Sequence, residues 1–302
     1  MSLYALRVVK PVAITPAMVI ATNVPETDYP AWNSGTSYTV IGERVIKGHK
    51  VWQNAVNPNL NNDPESTAGK WSEVGYTNAY KAFDKSISTQ TAQTTSITYQ
   101  LRLGQAIGSV NGLNLTGATS MRVYVVDPVY GTVYDQTKSL LSYPALSGWW
   151  AWFFGERRAP TQALFLDLPS FPNADIYIVL TGGASLAVGV LLLGQMYRYT
   201  MGVQMGAKLG IQDYSRKERN EYGDLYMVER AFAKKANFTM LLEAPEVDAF
   251  NLFLSSVRAT SCLWIGSDRY ESTTVYGPYK SFDIVIPYFN YSECDLELEG
   301  LT

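Results

Sequence analysis

The chain of 302 residues carries 24 lysines and arginines against 27 aspartates and glutamates, and 47% of its residues are hydrophobic. The resulting net charge of −3 argues against a nucleic-acid-binding protein, whereas the length predicts two or three domains with real hydrophobic cores. One histidine and two cysteines argue against a multi-histidine metal site, so we expect neither a metal nor a cofactor.

Targeting signals and membrane spans are not expected from this sequence. The amino terminus has no basic segment followed by a continuous apolar run, as a secretory signal would require. The longest apolar run, residues 184–196, is shorter than the roughly 20 residues of a membrane span and predicts a buried strand pair instead. Cys262 and Cys294 are expected to be buried free thiols.

Residues 1–30 contain two short strand-like pieces that are separated by Pro11 and Pro16. Pro25 and Pro30 interrupt any regular element that follows. We interpret this stretch as an extended N-terminal docking arm that binds either a later domain or another subunit.

Residues 31–75 place four large aromatic side chains among turn-forming glycines and asparagines, namely Trp32, Tyr38, Trp52 and Trp71. Three short alternating runs between residues 36 and 55 predict antiparallel strands, with Gly48 in a tight hairpin turn and His49 exposed beside it. Because so small a module buries little apolar surface, the indole rings are expected to supply much of its packing.

A resemblance to a known family is carried by Ala31-Trp32, Gly35, Tyr38, Gly42-Glu43-Arg44-Val45, Gly48, Val51-Trp52 and Trp71. In this order they resemble the small chitin-binding-type carbohydrate-binding modules of families 5 and 12. The resemblance implies a compact three-stranded sheet that binds glycans through exposed aromatics, although the loop of residues 57–70 contains none.

The four aromatics of this module are the candidate carbohydrate-binding residues. Trp32 and Trp71 are the more strongly predicted to be core residues, because a small sheet needs a filler at each end. Tyr38 and Trp52 fit sugar stacking and core packing equally well. An aromatic side chain on a small sheet also fits a protein contact.

Residues 76–200 alternate short strand candidates with turn signals such as Asp127-Pro128 and Gly182-Gly183. This spacing predicts an antiparallel β-sandwich. The segment from Asn78 to Asp84, with residues 96–101, resembles the start of a discoidin-like, galactose-binding jelly roll. The resemblance implies that Asp84 caps the backbone and binds neither ligand nor calcium.

The densest aromatic cluster of the chain lies in residues 147–155 and contains Trp149, Trp150, Trp152, Phe153 and Phe154. Such a cluster fits an exposed membrane or receptor patch. Alternation along a strand offers a second interpretation, because it distributes the rings over both faces. We expect an interior strand or a subunit interface with these five residues as candidate contacts.

Residues 201–302 are predicted to form an α+β assembly domain. Pro245 begins a helix that extends to Arg258, since apolar residues recur at spacings of three and four from Val247 to Val257. Strand candidates surround this helix. The mixed charge run of residues 216–224 is interpreted as a solvated loop.

Segments spread over the whole chain resemble a family of tailed-phage tail-tip or baseplate proteins: Val24-Pro25-Glu26, residues 31–75, 77–84 and 210–217, Val228-Glu229-Arg230, and residues 282–288. The resemblance implies a structural virion subunit, made in the host cytoplasm and present in several copies. Its implied partners are other tail, baseplate or fibre proteins, and a host cell-surface glycan is a further candidate.

Three hypotheses follow for a mainly β, multi-domain chain. The leading one is a structural protein that holds tail components together and binds host glycan weakly. The second is a lectin-like adhesin that binds host surface polysaccharide. The third is an enzyme such as a glycan depolymerase or esterase. The sequence contains no Gly-x-Ser-x-Gly motif, no metal-ligand cluster and no distinctive acid pair, so we do not expect catalysis.

Overall fold

The computed structural model describes residues 4–141, 149–154, 159–219, 221–267 and 270–301. These residues are mainly β, which confirms the mainly β part of the expected fold class. Contacts divide the chain into two compact units: unit 1 contains residues 1–12 and 194–302, and unit 2 contains residues 13–193.

In chain order, the strands are β1 (Tyr4–Pro11), β2 (Val19–Thr22), β3 (Ser37–Tyr38), β4 (Arg44–Lys47), β5 (Lys50–Asn54), β6 (Asn59–Leu60), β7 (Trp71–Tyr76), β8 (Thr91–Ala92), β9 (Ser96–Arg102), β10 (Ser109–Asp127), β11 (Gly131–Ser139), β12 (Gln162–Phe165), β13 (Asp175–Val203), β14 (Lys208–Asp213), β15 (Arg216–Arg219), β16 (Leu225–Val228), β17 (Phe232–Glu243), β18 (Cys262–Ile265), β19 (Thr274–Gly277), β20 (Tyr279–Val285) and β21 (Tyr291–Glu299). The helices are α1 (Trp149–Phe154) and α2 (Glu246–Ser256).

Unit 2 contains the small module and a larger antiparallel sheet system. In the module, β4, β5 and β7 form a three-stranded sheet, while β3 pairs with β6. In the larger system β9 pairs with β2 and with the first part of β13, and β10 pairs with β11 and β12. Alternation along β9 buries Ile97, Tyr99 and Leu101 on one face, as expected for a sheet with one covered face.

Unit 1 is a sheet in the order β19-β18-β1-β13-β17-β21-β20, with α2 packed against it. The helix matches the predicted one within two residues at its C-terminal end and buries Phe250 and Leu254 in a core shared with Phe238 and Trp264. Its first turn carries Glu246 and Asp248, which favour the positive end of the helix dipole.

Residues 1–30 are divided between the two units, and their first strand pairs with later strands of the chain. β1 lies between β13 and β18, pairing Arg7 with both Arg198 and Ile265. Leu6, Val8 and Val9 are completely buried, so this strand is part of the unit 1 core. Residues from 13 onward belong to unit 2. Pro11 and Pro16 therefore flank the boundary between the two units, whereas Pro25 and Pro30 lie within unit 2.

Two other expectations concern the carboxyl-terminal part of the chain. The charged run of residues 216–219 forms strand β15 and not a loop, because it finds cross-strand partners in β16. Cys262 and Cys294 are free and buried, as expected, and burial raises the pKa of each thiol to about 12. Neither described helix is long and apolar enough to cross a membrane.

A substitution at Gly194 tests the pairing of β1 with β13. A Cβ atom on Gly194 would lie 2.1 Å from the backbone oxygen of Lys10, whereas one on Gly183, in the same strand, would meet no atom within 4 Å. We expect Gly194→Ala to lower the free energy of unfolding by about 1–3 kcal/mol, because a backbone has to move. Gly183→Ala is the control, and equal losses in chemical denaturation would contradict this account.

Candidate binding surfaces

Two of the four candidate carbohydrate-binding residues form the centre of the small module. Tyr38 and Trp71 meet edge to face, with ring centroids 5.1 Å apart, and are 5% and 6% exposed. The Tyr38 hydroxyl accepts a hydrogen bond from the Asn33 N–H at 2.8 Å, and the Trp71 indole N–H donates to the Asn62 oxygen at 2.9 Å. Both rings are therefore core side chains that offer no face to a sugar.

Trp32 and Trp52 pack against this core but remain half-buried. The Trp52 indole N–H donates to the Lys47 backbone oxygen at 3.1 Å. The Lys47 ammonium lies 4.3 Å from the centroid of the Trp32 ring and also forms an ion pair with Asp63. Since this cation covers one face of Trp32, a sugar could stack only on what remains of Trp32 and on Trp52.

The aromatic-free loop is fixed by buried amide side chains that the sequence did not reveal. Asn54 donates to the Val40 oxygen at 2.9 Å, Asn59 donates to the Asn54 side-chain oxygen at 2.8 Å, and Asn62 donates to the Asn59 side-chain oxygen at 2.7 Å. Asn54 and Asn59 are both buried. These bonds hold the loop as part of the module's framework, because a buried amide without partners would be costly.

The junction between the module and the following sheet system is polar. His49 Nδ1 lies 2.8 Å from Glu26 Oε1, and the Thr77 hydroxyl donates to Glu26 Oε2 at 2.8 Å. The imidazole ring also packs on Tyr80, with centroids 4.2 Å apart. The single histidine, expected to be exposed beside a turn, is therefore part of the contact that fixes the module to its neighbour within unit 2.

Asp84 has the capping role that the discoidin-like resemblance implied. One carboxylate oxygen accepts from the Ser86 N–H at 2.8 Å and the other from the Thr89 hydroxyl at 2.5 Å. Within the described residues, no group of three or more His, Cys, Asp or Glu side chains is arranged as a metal site.

The aromatic cluster of residues 149–154 is a short helix, so the predicted strand is wrong. The ring centroids of Trp150 and Phe154, which lie one helical turn apart, are 4.3 Å from each other. This i, i+4 contact stabilises a helix over an alternating strand. The four described rings, Trp149, Trp150, Phe153 and Phe154, are between 63% and 72% exposed. The side chain of Trp152 lies outside the described part of the chain. The rings contact one another and, given their exposure, form a surface cluster.

Comparisons with protein-family models, with curated proteins and with solved structures give no match to this chain.

The contrast between core and surface aromatics gives a direct test. Trp71→Ala is expected to lower the free energy of unfolding by about 3–5 kcal/mol, because it removes a buried indole. Trp150→Ala should leave it nearly unchanged, since that ring is 63% exposed. Chemical denaturation of both variants, followed by far-ultraviolet circular dichroism, checks this. A large loss for Trp150→Ala would mean that the cluster is packed against the protein.

Proposed function

We propose that the chain is a structural subunit of a tailed-phage virion that holds tail components together at the distal tail, baseplate or fibre-attachment region. The observation that carries the proposal is the exposed aromatic cluster of α1. Clusters of exposed tryptophan and phenylalanine mark contact sites, and tryptophan is enriched among interface residues that dominate binding energy. The phage-like sequence segments supply the viral context. No catalytic role is proposed.

The architecture supports an assembly role in a second way. A chain that is divided into two compact, mainly β units presents large surfaces for several protein partners. We include in the proposal the finer fold expectations, namely a carbohydrate-module-like domain at 31–75, a discoidin-like jelly roll at 76–200 and an α+β assembly domain at 201–302. The virion is the proposed location, with homo-oligomers and other tail proteins as partners.

A second candidate function is that of a lectin-like adhesin. The half-buried indoles of Trp32 and Trp52 favour it, because they are the only two of the four module candidates that retain exposed ring surface. Binding through two partly covered rings would be weak at each site. Several copies in one particle would raise the overall affinity for the glycan surface.

Antibody labelling tests the proposed location. In particles of the phage that encodes this chain, an antibody raised against the purified protein should label the distal end of the tail in electron micrographs. Host proteins carried over during purification serve as the negative control. Particles that contain no copy of the chain would overturn the proposal.

Retention on immobilised chitin and on host surface polysaccharide tests the glycan-binding candidate. Trp52→Ala is expected to abolish retention, because it removes one of the two rings that retain exposed surface, while Trp52→Phe should preserve much of it. Val74→Ala, an exposed position in the same three-stranded sheet, is the matched control. The circular dichroism of the variants reports whether the sheet is intact. Retention that Trp52→Ala leaves unchanged would remove the lectin role for this site.

A further inference from the structure

Unit 1 extends a long β-hairpin beyond its sheet. β14 and β17 pair from Lys208 with Asn237 to Asp213 with Phe232, and β15 and β16 continue the ribbon outward. The Tyr214 N–H donates to the Ala231 oxygen at 3.4 Å and joins the two parts. We call β15 and β16 the hairpin tip. Within the described residues the tip forms a two-stranded sheet by itself.

The hairpin tip has the composition of a strand pair that is covered by a partner. Register places Lys217 opposite Met227 and Arg219 opposite Leu225, so two cations and two apolar side chains share one face. We call this the basic face. Leu225 and Met227 are 52% and 61% exposed, and Tyr226 on the opposite face is exposed as well. A strand with apolar residues on both faces is typical of a buried strand, and an isolated two-stranded hairpin is marginally stable in water.

A complementary surface lies on the outer face of β17, β21 and β20, which we call the acidic face. On the adjacent strands β20 and β21, Asp283 is the cross-strand partner of Asp295, and Val285 is the partner of Glu293. Like charges in such a cross-strand pair are destabilising. Neither aspartate has an ion-pair partner among the described residues, although the Thr239 hydroxyl donates to Asp295 at 2.7 Å.

The acidic face is also concave. Asp283, Asp295 and Glu297 line a shallow cavity of about 410 Å³. Lys208 also lines this cavity, and Glu297 is already paired with Lys280 at 3.0 Å. Two carboxylates are thus left facing solvent in a recess that is wide enough to accept long cationic side chains.

We propose that the hairpin tip of one copy packs its basic face on the acidic face of a second copy of this chain. Lys217 and Arg219 would then meet Asp283 and Asp295 and relieve their repulsion, while Leu225 and Met227 cover the apolar surface around Val285. Lys217 exchanges its exposed bond to Asp213 for this contact. A second copy is the occupant because the same chain carries both halves of this charge complementarity.

The contact joins two different patches and is therefore head-to-tail, the kind that generates rings or open chains. The inference rests on the proposed role as an assembly subunit and names the copy-to-copy interface within it.

A charge exchange between two variants of the full chain tests the contact. The tip variant carries Lys217→Glu and Arg219→Glu, and the face variant carries Asp283→Lys and Asp295→Lys. Light scattering over a range of concentrations should show that the parent chain associates and that each variant alone has a dissociation constant raised about tenfold or more. An equal mixture of the two variants should recover the parent mass, because every contact between a tip variant and a face variant joins opposite charges.

A matched pair of single substitutions keeps the test specific. Arg219→Glu lies on the basic face and should weaken association, whereas Arg216→Glu, on the opposite face of the same strand, should not. A parent chain that stays monomeric at every concentration would overturn the proposal. Association that persists in both charge variants would also overturn it, yet would leave the assembly role standing. Absence of the chain from particles would overturn the proposed function alone.

Discussion

The structure of unit 1 depends on the pairing of β1 with β13 and β18. This first strand lies inside the sheet, and its Leu6 and Val8 side chains are fully buried in the same core as α2. The core therefore closes only when the beginning of the chain meets segments near its end. Contacts so distant in sequence form slowly, because the entropy of closing a long loop is lost before the contacts form. Unit 2 carries its own buried residues, and its strands pair over shorter sequence separations, such as Val19 with Leu101.

The small module has a core that is built from few residues. Two buried aromatic rings fill its centre, and three asparagines satisfy one another and the backbone around it. Rigid aromatic rings and hydrogen-bonded amide side chains lose little conformational freedom for the contacts they make. Because two of the module's four aromatic rings fill its core, only the other two keep exposed surface. A glycan site on such a module competes with its stability for the same side chains.

Periodicity and turn chemistry predicted the parts of the fold that depend on local sequence. The helix from Pro245 and the hairpin at Gly48 belong to this class, whereas the capping role of Asp84 was implied by the resemblance to a discoidin-like jelly roll. The position of β1 could not be predicted, because an apolar strand does not specify which distant strands flank it. The cluster at Trp149 was misassigned since five aromatics in six residues satisfy the strand and helix periods equally. The module's aromatics could be named from sequence, but their burial depends on packing that composition does not encode.

The register of β1 and β13 has a consequence for how the chain can be rebuilt. Pro11 is the direct partner of Gly194, so the two ends of the unit 2 segment leave adjacent antiparallel strands. In topological terms, the whole of residues 13–193 is the loop of a hairpin. Replacing it with a tight turn would join the same two strands in their present register. Recombination at these two points would exchange one inserted domain for another while unit 1 keeps its hydrogen bonds.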